Sequence, residues 1–436
     1  MEKRNVDVVT LGCSKNLVDS ERLLRQLSDS GLTVRHDPPE DSRPSEIVVV
    51  NTCGFIGDAK EESINTILEY AAHRRSGDVR RLYVMGCLSE RYRKELPAEI
   101  PEVDAWFGKM DWSGIVSDIA RQFPATVPYD RIITTPRHHA YLKISEGCDR
   151  FCAFCAIPLI TGRHHSRRPE EIVEEVRMLT ERGVREFNVI AQDLSAYGRD
   201  LNSAKQSGLA DLVNRIADVP GVDWIRLHYA YPADFPHDLL GVIADRPNVC
   251  NYLDIALQHI SDPVLKAMRR HVDRRQTLEL IDEIRSTVPG IHLRTTLMTG
   301  FPGEGEREFA ELMEFVETQR FERMGAFAYC EEEDTYAARN YTDSVPQEVK
   351  QQRLDMLMAR QEEISLDIQQ QKVGQTLRVM IDREEPEYFV GRTEWDSPEV
   401  DPEVLVRKAP GLRRGEFADV TITEALPFEL IGETDA

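Results

Sequence analysis

Two repeating patterns of hydrophobic and polar positions alternate over residues 1–125. In the stretch after "VDVVTLGC", Leu17, Val18, Leu23, Leu24 and Leu27 recur at helical spacing before Gly31. The strand-like runs are "VDVVTLGC", "EIVVVNTC" and "RLYVMGC", and a second helical stretch, "DAKEESINTILEYAAHRR", lies between the last two. This alternation predicts a βαβαβ unit with a parallel sheet.

A longer alternation follows a proline-rich stretch, residues 122–139, which we interpret as a linker. Helical patterns such as 169–182 and 262–287 separate six further strand candidates: "AYLKISEG", "REFNVIAQD", "WIRLHYA", "YLDIALQ", "IHLRTTLMTG" and "RMGAFAY". Strands and helices in this order predict a (βα) barrel, and six units instead of the usual eight predict a partial one. We assign residues 134–364 to this domain.

The last part of the chain changes character. A long polar helix is predicted over 346–372 and ends before Gly374. Short β-like runs separated by Gly and Pro follow it: "TLRVMID", "YFVGRT", "EVLVRK" and "FADVTITEAL". They predict a small antiparallel β-barrel over residues 367–436. The fold class is therefore α/β, with an N-terminal parallel-sheet domain, a partial (βα)6 barrel and a small β-barrel.

Three cysteines far apart in the sequence occupy equivalent places in the first domain. Cys13, Cys53 and Cys87 each fall just after a hydrophobic strand. Because the carboxyl ends of parallel strands gather at one edge of a sheet, we expect these thiols to converge. The alternative is three buried structural cysteines, which are common in protein cores. Three equivalent positions favour one metal site.

A second set of cysteines lies within eight residues, in "CDRFCAFC". Cys148, Cys152 and Cys155 follow the strand "YLKISEG", and so are expected on a loop at the top face of the barrel. Thiolates at this spacing suit zinc or an iron–sulfur cluster. Zinc would need a fourth ligand, and the histidines that could serve are His138, His139, His164 and His165. The spacing alone leaves both metals open.

Composition and the absence of apolar segments indicate the compartment of the protein and the redox state of its cysteines. Of the 436 residues, 41% are hydrophobic and 30% are charged, which is typical of folded globular domains. The first residues show no apolar signal-peptide region, and no apolar run approaches the roughly 18 residues of a membrane span, so a cytoplasmic protein is expected. In that compartment cysteines are ligands, catalytic groups or buried thiols before disulfides. Cys250 and Cys330 are expected to be small buried residues.

Several segments together resemble the radical S-adenosylmethionine (SAM) methylthiotransferases. They are "LGCSKNLVDSE", "NTCGFI", "VMGCLSER", "ISEGCDRFCAFCAIP", "LDIALQHISDPVLKAMRR" and "TTLMTGFPGE". The resemblance implies two [4Fe–4S] clusters, a terminal TRAM barrel, and SAM as cosubstrate. Cys148, Cys152 and Cys155 would hold three irons of one cluster, whose fourth iron binds SAM. Cys13, Cys53 and Cys87 would hold the other cluster.

Further site residues follow from the resemblance, in the case of Phe154, and from position at strand ends, in the case of Gln192 and Gln258. Phe154 stands where the family has an aromatic residue beside the adenine of SAM, although a core phenylalanine is the alternative. Gln192 and Gln258 end strands and are expected to line the cavity, or else only to cap the barrel. Ala256, where the family usually has Pro, and Cys330, where Ser is usual, depart from the pattern without touching a proposed ligand.

The implied reaction replaces a hydrogen on the β-carbon of an aspartate in small ribosomal subunit protein 12 by a methylthio group. One SAM would donate the methyl group to sulfur bound at the N-terminal cluster. A second SAM would be cleaved by an electron passed through the barrel cluster, and the resulting 5′-deoxyadenosyl radical would abstract the hydrogen. An electron donor and a sulfur donor are implied as further partners.

Charge bears on the substrate. The formal net charge is −22, and residues 371–436 carry eight Lys or Arg against fifteen Asp or Glu, a net of −7. A module that binds RNA neutralises phosphates and should be basic. The acidic tail, and the likeness of "GCSKNLVDSE" to the branch of the family that modifies a ribosomal protein, favour that substrate over transfer RNA. The remaining alternative is a non-catalytic zinc or iron–sulfur protein.

Overall fold

The computed structural model describes residues 4–39, 41–109, 111–120 and 129–434. Its contacts divide the chain into two compact units. The first unit consists of Met1–Thr135, Tyr141–Asp149 and Cys155–His165, and the second of Pro136–Ala140, Arg150–Phe154 and Ser166–Ala436.

The N-terminal sheet is parallel and has the strand order β2-β1-β3-β4-β5. Its strands are β1 (Asn5–Thr10), β2 (Thr33–His36), β3 (Ile47–Thr52), β4 (Arg81–Gly86) and β5 (Ala105–Trp106). The helices of the first unit are α1 (Ser14–Asp29), α2 (Gly57–Ser76), α3 (Cys87–Arg91), α4 (Leu96–Glu99), α5 (Trp112–Ile119) and α6 (Ile157–Thr161). The predicted βαβαβ unit is therefore confirmed.

Both faces of this sheet are covered. Val49 of β3 belongs to the same buried cluster as Leu24 of α1, whereas its neighbour Val48 packs in a second cluster with Ile67 of α2. Successive strand residues point to opposite faces, so a strand buried on both faces reads as a continuous apolar run. All six residues of β3 are buried for this reason.

The central sheet has six strands in the order β13-β12-β11-β10-β9-β6, and the ladders from β9 to β13 are parallel. The strands from this part of the chain are β6 (His139–Lys143), β7 (Ser145–Glu146), β8 (His165–Ser166), β9 (Glu186–Ile190), β10 (Trp224–Ala230), β11 (Val249–Ile255), β12 (His292–Thr299) and β13 (Arg323–Ala328), of which β7 and β8 form a separate two-stranded sheet. The six-stranded sheet, with helices between its strands along the chain, confirms the predicted partial barrel.

The helices of this second region follow the predicted order. They are α7 (Pro169–Glu181), a 3-10 turn (Leu194–Ala196), α8 (Leu209–Ala217), α9 (Asp238–Asp245), α10 (Asp262–Ala267), α11 (Arg274–Thr287), α12 (Glu306–Gln319), α13 (Tyr336–Asn340) and α14 (Gln347–Gln370). The helical pattern at 262–287 is two helices instead of one. Arg269 and His271 are left-handed between them, and Asp273 caps the second with a capping box to Gln276.

The long helix α14 matches the predicted polar helix within two residues at its C-terminal end. It packs against β13 and α12 through a few buried positions, including Leu357 and Ile364. Gly374, with φ of 85°, follows it. No helix in the described part of the chain combines the length and the apolar composition needed to cross a bilayer.

The C-terminal strands close into a five-stranded barrel with the order β14-β15-β16-β18-β17. They are β14 (Thr376–Glu384), β15 (Tyr388–Arg392), β16 (Glu403–Arg407), β17 (Phe417–Ala425) and β18 (Glu429–Glu433). The predicted small antiparallel barrel is confirmed, although the prediction lacked β18; four of its pairings are antiparallel, and β16 and β18 are parallel. The run "ELIGE" buries only Leu430 and Gly432, too few apolar positions to mark a strand.

The structure tests the predicted linker only in part and does not test the predicted domain boundaries. The proposed linker 122–139 lies partly outside the described residues, and its last residue, His139, begins β6. The domain boundaries proposed from the sequence remain predictions.

A buried charge network within the second unit joins the barrel strands to the tail barrel. Arg392 Nη2 donates to Glu186 Oε2 at 2.8 Å, and its Nε donates to Asp382 Oδ2 at 2.7 Å. Arg226 Nη2 donates to Glu186 Oε1 at 3.2 Å. Burial opposes ionisation of Glu186, but these two arginines hold its pKa well below the usual range. The attraction between these paired charges offsets the cost of taking them out of water.

His139 lies against this network and should make stability depend on pH. Burial, with the charge of Arg392, lowers the pKa of His139 to about 4. The unfolded chain, with a pKa near 6.5, takes up the proton first, so the full stabilisation is present above about pH 6.5 and is lost as pH falls toward 4. Between pH 7.5 and 5.5 the loss from this residue is about 1 kcal/mol.

The variant His139→Gln should therefore lose less unfolding free energy than the parent chain between pH 7.5 and 5.5. Urea denaturation of the full chain at the two pH values measures the difference. The matched control is His237→Gln, because the side chain of His237 is 61% exposed and pairs with Glu283 at the surface. Equal pH dependence in the two variants would contradict the assignment.

Candidate functional site

The three cysteines of the N-terminal sheet meet at its carboxyl edge, as the sequence predicted. Cys13 is the N-cap of α1, Cys53 directly follows β3, and Cys87 begins α3 directly after β4. Burial is the main cause that raises the pKa of Cys87 and of Cys53; the charges of Cys13 and Cys53 add to it at Cys87, and the charge of Cys13 adds to it at Cys53. These charge effects agree with the placement of the three thiols at one edge of the sheet.

Asn16 connects all three strand ends. Its Nδ2 donates to the carbonyl oxygen of Leu11 at 2.9 Å and to that of Thr52, the residue before Cys53, at 3.0 Å. Its Oδ1 accepts from the thiol of Cys87 at 3.7 Å. One buried amide therefore fixes the segments that carry the three thiols. Sequence analysis gave Asn16 no role, although it stands in the quoted motif "GCSKN".

Two glycines allow the close approach of these segments. A Cβ added to Gly12, whose φ is 91°, would lie 2.7 Å from Cys53 Cβ and 3.1 Å from its Sγ. A Cβ on Gly54 would lie 2.6 Å from the backbone nitrogen of Leu88. Side chains at either position would separate the cysteine-bearing segments, so glycine is required there for packing.

The three thiols differ in their electrostatics. Burial raises the pKa of Cys87 to about 12 and also raises the pKa of Cys53. Desolvation opposes ionisation of Cys13 too, but the charge of Lys15, the backbone N–H of Asn16 and the charge of Lys109 together lower its pKa. Cys13 is also the exposed member of the set. It is therefore the thiol that ionises first.

A chain of buried charges lies beside these cysteines in the first unit. Lys109 Nζ donates to Glu146 Oε1 at 2.7 Å, and Lys143 Nζ donates to Glu146 Oε2 at 2.9 Å and also pairs with Asp19. Burial opposes ionisation, yet the two lysines lower the pKa of Glu146, and Glu146 raises that of Lys109. Sequence analysis missed these buried ion pairs. The one local sign of them was the lysine inside the apolar run "YLKISEG".

The motif loop places part of the second cysteine set in the first unit. The backbone N–H of Cys148 donates to the carbonyl of Gly162 at 3.2 Å. Ala156, the residue after Cys155, packs with Cys87 and Ile160 in one buried cluster. Within this unit, the segment that carries Cys155 thus contacts one of the three N-terminal cysteines.

Cys152 has its neighbours in the second unit. Arg270 Nη1 donates to Cys152 Sγ at 3.3 Å, and Tyr231 Oη lies 3.6 Å from the same sulfur. The guanidinium groups of Arg150 and Arg270 lie over the ring of Tyr231, at 4.2 and 4.1 Å from its centroid. Sequence analysis quoted Arg270 in "LDIALQHISDPVLKAMRR" without giving it a role.

The three proposed SAM contacts have different surroundings. Phe154 is partly buried in a cluster with Phe301, and the centroids of the two rings are 6.4 Å apart. Phe154 therefore packs in part against the core. Gln192 is the second residue after β9 and is half-buried. Gln258 has φ of 70° and a bridge to Leu297, with its N–H donating to Thr296 O at 2.8 Å. A non-glycine residue held at positive φ marks a constrained position.

The histidines considered for zinc have other partners. His138 Nε2 lies 2.7 Å from Asp382 Oδ1, and His139 lies against the buried charge network. The backbone N–H of His164 donates to Asp149. Across the described ranges, no three His, Cys, Asp or Glu side chains are placed to hold a single metal ion. An iron–sulfur cluster binds each thiolate to a different iron, so its ligands are spaced more widely than those around one ion.

The two remaining cysteines differ from each other. Cys250 is buried, with 2% of its surface exposed, as expected. Cys330 is exposed, so the prediction of a buried residue was wrong there. It is the second residue after β13 and precedes the acidic run 331–334.

The donor groups present fit iron–sulfur chemistry. Five of the six proposed ligand thiols are buried or partly buried, and a buried cation lies near Cys13 in the first unit and near Cys152 in the second. Thiolates are the ligands that such clusters take, and cations offset their negative charge.

Family models match three parts of the chain. Residues 5–108 match the model described as uncharacterized protein family UPF0004, residues 142–316 the radical SAM superfamily, and residues 373–434 the TRAM domain. Together with the partial barrel and the three-cysteine loop, these matches define the chain as a radical SAM enzyme. The superfamily implies SAM and a [4Fe–4S] cluster as cofactors.

Curated relatives match the chain over its full length. The chain is 58% identical to a ribosomal protein uS12 methylthiotransferase RimO of Bacteroides fragilis, over 99% of this chain and 100% of the relative. It is 59% identical to that of Porphyromonas gingivalis, with 99% of each chain covered, and 48% identical to that of Cytophaga hutchinsonii, with 99% and 98% covered. The chain belongs to the RimO family of methylthiotransferases.

Solved structures agree in fold. The radical SAM methyltransferase TsrM from Kitasatospora setae, with cobalamin and a [4Fe–4S] cluster bound, has a TM-score of 0.54 at 14% identity and covers 75% of this chain and 72% of its own. The cobalamin-dependent SAM radical enzyme OxsB gives 0.52 at 14% identity, with 83% and 56% covered. At these identities the similarity concerns the fold alone.

The electrostatics of the N-terminal cysteines predict unequal reactivity. In the metal-free chain at pH 7.5, iodoacetamide should alkylate Cys13 faster than Cys53 or Cys87, because the thiolate is the reacting species. Lys15→Met removes the nearest positive charge and should slow the alkylation of Cys13 on the order of threefold to tenfold. Isotope-coded labelling with mass spectrometry of each cysteine peptide measures these rates.

Lys94→Met is the matched control, since Lys94 is exposed on the same unit. Equal rates at Cys13 in the Lys15 and Lys94 variants would show that Lys15 does not control this thiol.

Proposed function

We propose that this protein transfers a methylthio group to the β-carbon of an aspartate in ribosomal protein uS12. The observation that carries the proposal is the full-length identity of 48% to 59% with relatives that bear the name of this activity. The two cysteine sets of the chain supply ligands for the cofactors that such a reaction needs. When bound, the cluster and SAM supply the radical chemistry that activates a C–H bond.

In this proposal Cys148, Cys152 and Cys155 hold the SAM-binding [4Fe–4S] cluster. The fourth coordination site is left to SAM, which answers why the loop carries three thiols and not four. Phe154, Gln192 and Gln258 are assigned to the walls of the SAM site. The positive φ of Gln258 and its backbone bonds to β12 support a fixed position for that side chain.

A second [4Fe–4S] cluster is proposed on Cys13, Cys53 and Cys87. The mutual charge effects of the three thiols, the Asn16 amide and the close approach at Gly12 support it. Lys109 lies close enough to act on both Cys13 and Cys87 and would offset the charge of the cluster and its bound sulfur. Within the first unit, Cys87 packs with Ala156, the residue after Cys155.

Charge supports a protein substrate. A ribosomal protein binds RNA and is therefore basic, so it complements a chain with a net charge of −22 and a tail domain of −7. Transfer RNA, the substrate of the alternative, would be repelled by the same surface. A substrate that belongs to the ribosome places the reaction in the cytoplasm. A low-potential electron donor and a sulfide source complete the proposed partners.

The test is an anaerobic incubation of the reconstituted protein with SAM, sulfide and a reductant, with purified uS12 in one sample and transfer RNA in another. Mass spectrometry should find a methylthio group on an aspartate of uS12, and chromatography should find 5′-deoxyadenosine. The variant Cys152→Ala should give neither product. An adduct on RNA alone would refute the proposed substrate, and a colourless zinc protein without either product would refute the reaction.

The second cluster can be tested by iron content. Gly12→Ala should lower the iron from about eight atoms per chain toward about four, because its methyl group would push Cys53 away from Cys13. The matched control is Gly31→Ala, which has a similar φ of 83° but no neighbouring atom within 4 Å. Iron analysis of anaerobically reconstituted protein measures both. Equal iron in the two variants would contradict the proposed second cluster.

A further inference from the structure

Arg270 carries a buried positive charge with no carboxylate partner in the described ranges. Only 3% of the residue is exposed. Its guanidinium donates to Cys152 Sγ at 3.3 Å and to the carbonyl oxygen of Ala256, and it lies over the ring of Tyr231. Nε has no hydrogen-bond partner among the described residues. A buried charge is costly unless an opposite charge lies beside it.

The neighbouring arginine shows the contrast. Arg150 lies over the other side of the Tyr231 ring, but its Nε donates to Asp193 at 2.6 Å and its Nη1 to Asp234 at 2.8 Å. Two carboxylates therefore offset its charge. An anion that faces Arg270 has to be a group other than Asp193 or Asp234. The side-chain atom that Arg270 contacts is the sulfur of Cys152.

Tyr231 does not compete with Arg270 as a donor to this sulfur. Its hydroxyl donates its one proton to the carbonyl oxygen of Arg270 at 2.8 Å. Ser195 holds the backbone of Tyr231, since Ser195 Oγ accepts from its N–H at 2.9 Å and donates to its carbonyl at 3.0 Å. The ring is fixed between the two guanidinium groups, so the N–H of Arg270 is aimed at Cys152.

We propose that Arg270 is a positioning residue that sets the reduction potential of the cluster held by Cys152. This inference rests on the proposed assignment of Cys152 as a cluster ligand. A hydrogen bond and a positive charge at a ligand sulfur stabilise the reduced, more negative cluster and raise its potential. Ala256 accepts a hydrogen bond from Arg270 through its backbone carbonyl oxygen. A proline, which the family usually has at this position, would present the same carbonyl, so Ala256 in place of Pro leaves this hydrogen bond unchanged.

The test is a redox titration of the reconstituted full-length protein, followed by electron paramagnetic resonance without SAM. The cluster of interest is recognised by the change in its spectrum when SAM is added to a parallel sample. Arg270→Gln should shift its midpoint potential to a more negative value. At a fixed potential, the ratio of reduced to oxidised cluster should fall about tenfold, which is about 59 mV for a one-electron couple.

Arg269→Gln is the matched control, because it removes the same charge from the adjacent position, where the guanidinium lies over Tyr336. Arg270→Lys retains the charge and one donor and should lie between the parent chain and Arg270→Gln. Equal potentials in Arg270→Gln and Arg269→Gln would overturn the inference. So would loss of the cluster in both Arg270 variants, since Arg270 would then be required for assembly.

Two further outcomes separate this inference from the proposed function. If Arg270→Gln changes only the concentration of SAM needed for the spectral change, Arg270 binds SAM and the inference is wrong. If Cys152→Ala retains the SAM-responsive cluster, the ligand assignment itself fails. Loss of that cluster in Cys152→Ala, with an unchanged potential in Arg270→Gln, would overturn the inference alone.

Discussion

The N-terminal site depends on one constraint, which is that parallel strands end at the same edge of a sheet. Cys13, Cys53 and Cys87 are brought together because each follows the end of a buried strand. The edge has to be compact as well. Asn16 links the strand ends through its amide, and the missing side chain of Gly12 leaves room for Cys53. The fold thus brings three distant positions of the sequence to one edge of the sheet.

Compensation of negative charge is common to both cysteine sets. The chain as a whole is acidic, but buried cations lie beside the thiols: Lys109 in the first unit and Arg270 in the second. Lys109 is balanced in turn by Glu146, whereas Arg270 has no carboxylate partner in the described ranges. A thiolate-bound cluster carries negative charge, so these cations identify where that charge is expected.

The sequence predicted what depends on local patterns. Apolar runs gave the strands, and the position of each cysteine relative to a run gave its place at the sheet edge. Asn16 and Arg270 were quoted within motifs, but their contacts reach other strands and loops and have no periodicity to reveal them. β18 was missed because its burial is confined to alternate positions of a five-residue run, and Cys330 was misjudged because an exposed thiol has no pattern of its own.

The two cysteine sets also differ in how they can form. Cys148, Cys152 and Cys155 lie within eight residues, so the spacing of their loop limits their separation even before the domains are complete. The N-terminal set has no such local link, and bringing its members together requires the ordered sheet because loop closure over dozens of residues costs entropy. Substitutions that loosen this sheet should therefore impair the N-terminal ligand set before the loop set. The glycine contacts and the Asn16 amide are the points where the N-terminal set is most sensitive.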